Sequence, residues 1–283
     1  MPEGDSYARA AAKLRPALEG KTIEAIDGGP TVRAKGDRFV DRRIESVRTH
    51  GKHLLIDVDN GLTIHLRLAM PGRIRVTAFG GRTTSEGERS GGHVDAGAVR
   101  LRIRTATHEV VCYSAPTVEV ERRKVIDGAL RRLGPDVLDD EFDYDAYRHR
   151  ASLLPADTML ADFLLDQRIM SGVGNEYKNE ILFLERLHPR ASLAQLDPVA
   201  VDALAERARK LMIPNARRKG PRVTTGYRAR DLDAWVYDRS GQPCRRCNTT
   251  IVSDHIGARF QRITYWCPRC QPEPSGARAE QQA

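Results

Sequence analysis

The chain has 283 residues and a formal net charge of +8, and 40% of its residues are hydrophobic. That length allows one to three domains, each able to bury a core. No apolar run reaches the roughly eighteen residues that cross a bilayer, and the start lacks a secretory signal, so we expect a cytoplasmic protein. The excess of arginine and lysine favours an acidic partner, nucleic acid first, although it also suits a protein that only needs to stay in solution.

The first five residues, Met1-Pro2-Glu3-Gly4-Asp5, contain a possible nucleophile. If Met1 is removed, Pro2 carries a free secondary amine, and the pKa of about 7.7–8.0 that is usual for a chain-terminal amine leaves part of it neutral near pH 7. A neutral amine can attack an electrophilic sugar carbon and form an iminium ion. Glu3 stands beside it as a possible acid or base. The same residues are also an ordinary start to a chain.

A helix is predicted over residues 6–19, capped by Asp5 or Ser6 and ended by Gly20. Its apolar face repeats at helical spacing and consists of Tyr7, Ala11, Leu14 and Leu18. The first residues of the chain are therefore expected at the start of a packed helix, whose positive end favours a carboxylate or a phosphate.

Residues 22–120 show a pattern of short strands, which indicates a β-sandwich or a barrel. Two apolar segments, 54–58 and 62–66, flank Asp59-Asn60-Gly61 and predict a hairpin. Lys52 lies at the entrance of the first segment, where most lysines are only exposed. A flexible loop is predicted at residues 80–92. We assign residues 1–125 to an N-terminal β-sandwich domain.

Residues 126–155 are predicted as a connector, and the pattern then becomes helical over residues 156–232. Two apolar-faced helices flank Gly172-Val173-Gly174-Asn175, and a third carries Val201, Leu204, Ala208 and Leu211. The glycines allow close backbone approach, and the free amides of the helix that follows can hold a phosphate. The alternative is a simple tight turn between packed helices.

Two Cys-x-x-Cys pairs, Cys244 with Cys247 and Cys267 with Cys270, are separated by nineteen residues. This spacing predicts one structural zinc ion in a finger at residues 233–271, because four thiolates leave no open position for catalysis. Disulfides and an iron–sulfur cluster are the alternatives. The tail at residues 272–283 is polar and is predicted to be disordered.

Six motifs, in order, resemble the formamidopyrimidine-DNA glycosylase and endonuclease VIII family along nearly the whole chain, up to Gln271. The N-terminal motifs are Met1-Pro2-Glu3-Gly4 and Gly51-Lys52-His53-Leu54-Leu55. The middle motifs are Leu165-Asp166-Gln167 and Gly172-Val173-Gly174-Asn175. The C-terminal motifs are Trp235-Val236-Tyr237 with Gly241-Gln242-Pro243-Cys244, and Arg262-Ile263-Thr264-Tyr265-Trp266-Cys267-Pro268-Arg269-Cys270-Gln271.

The resemblance implies an α+β fold. An N-terminal helix and a two-layered β-sandwich come first, followed by a helical helix–two-turn–helix domain with a C-terminal zinc-ribbon finger, with DNA in the groove between. It also implies a bifunctional DNA glycosylase and abasic-site lyase of base excision repair. The damaged base is turned out of the stack, Pro2 attacks C1′, Glu3 handles protons at the sugar, and β,δ-elimination leaves a one-nucleotide gap. We expect a monomer acting on damaged DNA.

The same resemblance implies further site residues. Residues similar to those that hold phosphates around the flipped nucleotide are Lys52, counted with the catalytic residues, and Asn175, Tyr237 and Arg262. Met70, in Arg67-Leu68-Ala69-Met70-Pro71-Gly72, is similar to the residue that fills the space left by the base. Two positions depart from the family. Ser6 stands where many members have a second glutamate, and Arg67 stands where the loop has a histidine, or His65 if the alignment slips by two.

The lesion class follows from two further resemblances. The start Pro-Glu-Gly and the stretch Cys112-Tyr113-Ser114-Ala115-Pro116 are similar to the endonuclease VIII branch and favour oxidised pyrimidines as substrates. One alternative is a purine-preferring enzyme of the same family that removes 8-oxoguanine. The other is a non-catalytic protein that binds lesions or abasic sites.

Overall fold

The computed structural model describes residues 2–68, 73–79, 99–113, 115–227 and 232–274. The chain divides into two compact units: residues 6–132 with Pro2, and residues 3–5 with the chain from Leu133 onward. Three predictions lie outside the described residues: Met70, which was predicted to fill the space left by the base, the loop at 80–92, and most of the tail.

Helix α1 (Gly4–Leu18) supplies one side of the core of the first unit. Its predicted apolar face is confirmed, since Tyr7, Ala11, Leu14 and Leu18 are all buried. The predicted N-cap at Asp5 or Ser6 is wrong, because the helix begins at Gly4. The Asp5 carboxylate lies within the first turn of the helix and is bound by an arginine side chain, Arg222.

The two-layered sandwich is confirmed. Its strands are β1 (Ile23–Gly28), β2 (Ile44–His50), β3 (His53–Val58), β4 (Leu62–Arg67), β5 (Arg73–Ala78), β6 (Val99–Thr105), β7 (His108–Tyr113) and β8 (Thr117–Arg122). They form two antiparallel four-stranded sheets with the orders β1-β6-β7-β5 and β2-β3-β4-β8. The predicted hairpin is β3–β4, in which Asp57 pairs with Thr63 beside the turn. The apolar faces of the strands pack with α1 in one core.

Short helices extend this unit. Helix α2 (Pro30–Lys35) and a 3₁₀ turn (Gly36–Arg38) follow β1, and helix α3 (Arg123–Leu130) follows β8. The boundary between the units lies between residues 132 and 133, within the segment predicted as a connector.

The second unit is helical, as predicted. Its helices are α4 (Tyr144–Ser152), α5 (Leu160–Leu165), α6 (Asn175–Leu184) and α7 (Pro198–Arg217), with a 3₁₀ turn at Leu193–Gln195. Their shared core includes Tyr147, Phe163, Tyr177, Leu204 and Met212. Helices α5 and α6 are joined by the turns of residues 166–174, which is the predicted helix–two-turn–helix arrangement.

The C-terminal finger is a hairpin of β9 (Val252–Ile256) and β10 (Arg262–Trp266). It packs around a small core of its own with Phe183 of α6, Val236, Ile251 and Tyr265. Within the described ranges, no helix is both long and apolar enough to span a bilayer.

Candidate active site

Glu3 is fully buried at the N-terminal end of α6. Its Oε2 accepts a hydrogen bond from the Gly174 N–H at 2.7 Å, and its Oε1 accepts one from the Glu176 N–H at 2.8 Å. The first N–H groups of a helix lack partners within the helix, and the helix end is positive, so a carboxylate is stabilised there. Backbone groups therefore fix the direction of both Glu3 oxygens.

Two glycines let the start of the chain approach α6 so closely. The Gly4 N–H donates to the Gly172 carbonyl oxygen at 2.9 Å, and Gly172 has φ +109°, which a larger residue rarely adopts. A Cβ on Gly174 would lie 2.4 Å from Glu3 Cδ. The predicted close approach is thus confirmed. The amides of Gly174 and Glu176, however, bind the Glu3 carboxylate rather than a phosphate, which was one of the two possibilities that the sequence left for this turn.

A single arginine, Arg222, joins the carboxylates around Glu3. Its Nε and Nη2 donate to the two Asp5 carboxylate oxygens at 3.1 and 2.6 Å. Its Nη1 donates to the Glu176 carboxylate and lies 4.0 Å from Glu3 Oε1. The guanidinium carbon lies 4.6 Å from the centre of the Tyr177 ring, and the Arg222 side chain is only 9% exposed. One buried cation therefore hydrogen-bonds two carboxylates and lies within ion-pair distance of a third.

Glu176 is an acid whose ionisation falls near neutral pH. Burial raises the pKa of its carboxyl to about 7. The positive charge of Arg222 opposes this shift, and the negative charges of Glu3 and Glu180 reinforce it. Acids whose pKa is moved this far by burial and by charged neighbours are enriched at functional sites.

Glu180, one turn further along α6, holds the segment before the finger. Its carboxylate accepts hydrogen bonds from three consecutive N–H groups, those of Trp235 (2.8 Å), Val236 (2.9 Å) and Tyr237 (2.9 Å). The Tyr237 ring meets the Tyr265 ring edge-on with centroids 5.5 Å apart. Burial raises the pKa of the Tyr237 hydroxyl to about 12. The half-buried Tyr237 is thus fixed from both its backbone and its ring.

Asn175 and Lys178 bind α6 to the finger hairpin. Asn175 Nδ2 donates to the Ile263 carbonyl oxygen at 3.0 Å. Lys178 Nζ donates to Asn175 Oδ1 at 2.9 Å and to Thr264 Oγ1 at 2.6 Å. Burial lowers the pKa of the fully buried Lys178 to about 7, although the negative charges of Asp162 and Glu3 act in the opposite direction. The side chain of Asn175 is therefore engaged with the protein on both its nitrogen and its oxygen.

Arg262 is the first residue of β10 and is exposed. The same strand is fixed from α6 at Tyr265, whose N–H donates to Asn179 Oδ1 at 2.7 Å. Among the described residues, the Arg262 guanidinium makes one long hydrogen bond, of 3.4 Å, to the Gln261 carbonyl oxygen. A rigid strand thus presents a solvent-facing cation, which suits a phosphate contact.

Lys52 lies in the first unit, half-buried in the turn between β2 and β3. The neighbouring His53 has its Nδ1 2.8 Å from His65 Nε2, and His65 Nδ1 lies 3.3 Å from Glu119 Oε2. Burial lowers the pKa of His53 to about 3, and the charges of His65 and Arg67 reinforce the shift. His53 is therefore neutral near pH 7. His65 lies inside β4, whereas Arg67 is the exposed last residue of that strand.

The four cysteines of the finger converge. Their Sγ atoms all lie within 4.8 Å of one another, with 3.9 Å between Cys244 and Cys270 and 3.4 Å between Cys247 and Cys267. Zinc–sulfur bonds of about 2.3 Å in a tetrahedron place sulfurs roughly 3.8 Å apart. The cysteines are free rather than joined in disulfides, and their arrangement could hold one metal ion.

Two family models match the chain: the formamidopyrimidine-DNA glycosylase N-terminal domain over residues 1–117, and the H2TH domain of the same enzyme over residues 133–225. The chain belongs to the formamidopyrimidine-DNA glycosylase family. The resemblance seen in the motifs is thereby confirmed, and the two matched segments fall in the β-sandwich unit and the helical unit.

Relatives in this family match nearly the whole chain. The chain is 36% identical over 276 residues to the probable endonuclease 8 2 of Streptomyces coelicolor, covering 97% of this chain and 95% of that protein. It is 37% identical over 277 residues to the DNA-(apurinic or apyrimidinic site) lyase Nei2 of Mycolicibacterium smegmatis, covering 96% and 99%. The Lactococcus lactis Fpg bound to abasic-site DNA has the same fold, with a TM-score of 0.75 at 19% identity, over 96% of this chain and 100% of that one.

Apart from the four cysteines, the predicted site residues fall into three groups. Glu3 and Asn175 lie at the N-terminal end of α6, and Tyr237 and Arg262 lie on segments that α6 holds. Lys52 and Pro2 are grouped with the β-sandwich unit. Met70 lies outside the described residues.

Sequence reasoning missed five charged residues of the helical unit, which are Asp5, Glu176, Lys178, Glu180 and Arg222. A signal was present in α6, whose sequence begins Asn-Glu-Tyr-Lys-Asn-Glu directly after a glycine turn. Polar residues on consecutive positions cannot all face water on a helix that also carries a packed apolar face. Arg222 gave no local signal, because it sits in a basic loop that looks solvated.

Proposed function

We propose that Pro2 is the nucleophile of this enzyme and Glu3 its partner in proton transfer. The chain is a bifunctional DNA glycosylase and abasic-site lyase, as its family and its relatives indicate. One observation carries the proposal. Glu3 is buried, is aimed by the Gly174 and Glu176 N–H groups, and is bonded directly to Pro2. Adjacent residues have Cα atoms about 3.8 Å apart, so the carboxylate cannot be far from the amine.

The reaction follows from the amine. With Met1 removed, the neutral Pro2 nitrogen attacks C1′ of the flipped nucleotide, and the bond from C1′ to the base breaks. A secondary amine bonded to C1′ becomes an iminium once the ring oxygen leaves with a proton, which Glu3 handles. The iminium acidifies C2′, so loss of a C2′ proton expels the 3′ phosphate. A second elimination expels the 5′ phosphate and leaves a one-nucleotide gap.

The phosphate contacts are proposed from charge and position. Arg262 and Lys52 supply cations, and Tyr237 and Asn175 supply polar groups held close to α6. Phosphate contacts position a protein on the duplex without reading sequence. Asn175 already donates to Ile263 and accepts from Lys178, so we propose that it acts by fixing β10 as well as by facing the DNA.

We propose zinc as the ion of the cysteine cluster. Four thiolates at tetrahedral spacing suit zinc, leave no open coordination position and hold both ends of the hairpin. The ion would stabilise the finger that carries Arg262, with no part in the chemistry. We also propose that the protein works as a monomer on damaged DNA.

We propose oxidised pyrimidines, such as thymine glycol, as the preferred lesions. Strand β7 ends at Tyr113 and β8 begins at Thr117, so only three residues join them. So short a connection leaves no room for a long loop carrying extra side chains into the space of the lost base. The opposite base is then read weakly. The alternative remains a purine preference with 8-oxoguanine as substrate.

Borohydride trapping on a duplex with an abasic site tests the nucleophile, since only an iminium becomes a stable covalent link on reduction. Homogeneous protein that retains Met1 should not trap, whereas protein beginning at Pro2 should, with intact mass identifying each form. Both forms should bind a duplex with an uncleavable abasic analogue equally. Equal trapping by the Met1-retaining form would show that another residue is the nucleophile, and Lys52 would be the first candidate.

Single-turnover excision tests the lesion class. Duplexes with thymine glycol should be processed faster than duplexes with 8-oxoguanine opposite cytosine. Removal of 8-oxoguanine about tenfold faster than any pyrimidine lesion would reverse the assignment and leave the Pro2 mechanism intact.

A further inference from the structure

Two acidic residues at the start of the chain and one in α6 meet in a cluster of buried charges. Glu3 and Asp5 are fully buried, and the side chain of Glu176 is 19% exposed. Two of these carboxylates come from the first five residues and the third from the first turn of α6. Arg222 comes from the chain after α7 and contacts two of them by hydrogen bonds and the third at 4.0 Å.

The charges in this cluster do not balance. Three carboxyl groups share one guanidinium in a region from which water is largely excluded, so ionisation of more than one of them leaves an excess of negative charge. Like charges at short range repel strongly where water does not screen them. The backbone N–H groups of Gly174 and Glu176 relieve the repulsion for Glu3 alone. If the guanidinium were removed, Asp5 and Glu176 would compete with Glu3 for the N–H groups of Gly174 and Glu176.

The shape of arginine matters here as well as its charge. Nε and Nη2 together hold both Asp5 oxygens, while Nη1 reaches the Glu176 carboxylate on the other side. The plane also lies over the Tyr177 ring. A lysine ammonium is a single point of charge and cannot hold two carboxylates in this planar geometry.

We propose that Arg222 is a positioning residue for Glu3. It binds Asp5 and Glu176 on either side of its guanidinium, so these two carboxylates do not compete with Glu3 for the hydrogen bonds of the Gly174 and Glu176 N–H groups. Arg222 acts through Glu3 and does not contact the reacting atoms. The inference rests on the proposed role of Glu3.

The experiment compares Arg222→Lys and Arg222→Gln with Glu3→Gln, and combines Arg222→Lys with Glu3→Gln in a double variant. The matched control is Lys210→Gln, which removes one exposed cation from α7 in the same unit. Base removal is measured in single turnover on thymine glycol, trapping on an abasic duplex, and affinity on the uncleavable abasic analogue. Tryptophan fluorescence checks that each variant is folded.

We expect Arg222→Gln to slow base removal by roughly a hundredfold and Arg222→Lys by roughly tenfold, with affinity changed by less than about threefold. In the Glu3→Gln background, Arg222→Lys should change the rate of trapping by less than about twofold, because the residue through which it acts is gone. Lys210→Gln should leave every rate unchanged.

Two results would overturn the proposal. Arg222→Lys could slow trapping by the same factor with and without Glu3, or affinity could fall in step with the rate. If Arg222→Gln does not fold, Arg222→Lys carries the test, and failure of both to fold would show a structural role alone. A Glu3→Gln protein that removes bases at the normal rate would refute the proposed role of Glu3 itself, which is a separate failure.

Discussion

Glu180 offers the sharpest test of how α6 organises the second unit. Its carboxylate is fully buried and accepts the N–H groups of Trp235, Val236 and Tyr237, as well as the Thr224 hydroxyl. Glu180→Ala would leave three N–H groups without this acceptor, that of Val236 buried and those of Trp235 and Tyr237 partly buried. Each such group costs about 1–3 kcal/mol, so we expect the free energy of unfolding to fall by at least about 3 kcal/mol.

Glu180→Gln should cost less than Glu180→Ala. Its carbonyl oxygen can keep the two N–H groups that Glu180 Oε1 accepts, while its NH₂ group faces the remaining donors. We therefore expect a loss of about 2 kcal/mol, since hydrogen bonds to a charged group contribute roughly 1.5–3 kcal/mol each. The matched control is Glu206→Gln on the exposed face of α7, where an ion pair to Lys210 is worth only about 0.3–0.5 kcal/mol.

Urea unfolding followed by tryptophan fluorescence is the measurement. Both tryptophans of the chain, Trp235 and Trp266, lie in the helical unit, so the signal reports on that unit by itself. Trp235 stacks on Phe183 with centroids 5.6 Å apart, and this contact depends on the segment that Glu180 holds. An unfolding midpoint for Glu180→Ala equal to that of the Glu206→Gln control would show that Glu180 does not hold this segment.

Three further changes have defined outcomes. Freshly purified, reduced protein should contain about one zinc ion per chain by elemental analysis. Cys267→Ser should lower both the zinc content and the DNA affinity while the β-sandwich unit stays folded. Absence of zinc from the unaltered protein would contradict this prediction. Arg262→Ala should weaken binding to damaged and undamaged duplex alike and lower the salt slope by about one, and a loss confined to one lesion with the slope intact would show that Arg262 reads the base. The pKa of Lys178 is lowered to about 7, so between about pH 7 and the ordinary lysine pKa the unfolded chain binds one more proton than the folded chain. The free energy of unfolding should therefore rise with pH over that window. Lys178→Met should flatten this rise, measured by urea unfolding at pH 7 and 9.5.

The sequence by itself determined the elements and the chemistry that depend on local spacing. The apolar positions of α1 and the turn at Asp59-Asn60-Gly61 predicted a helix and a hairpin because side-chain direction repeats with the backbone period. The cysteine spacing predicted a four-thiolate cluster, since Cys-x-x-Cys pairs place two sulfurs on one side of a turn. The N-terminal Pro-Glu pair suggested a nucleophile and a proton carrier, but the same residues also suit an ordinary start to a chain, and their assignment to these roles came from the family resemblance and stays a prediction.

The tertiary structure alone decided what surrounds these residues. Arg222 and Asp5 are 217 residues apart, and no pattern near either one indicates the other. The glycines of residues 172–174 suggested a phosphate site, and it is the fold that brings Glu3 to those amides instead. Burial likewise moves the pKa values of Glu176 and Lys178 towards 7. Ionisation and ion pairing depend on how much water and which charges lie within a few ångströms, and these distances exist only after distant segments of the chain have packed together.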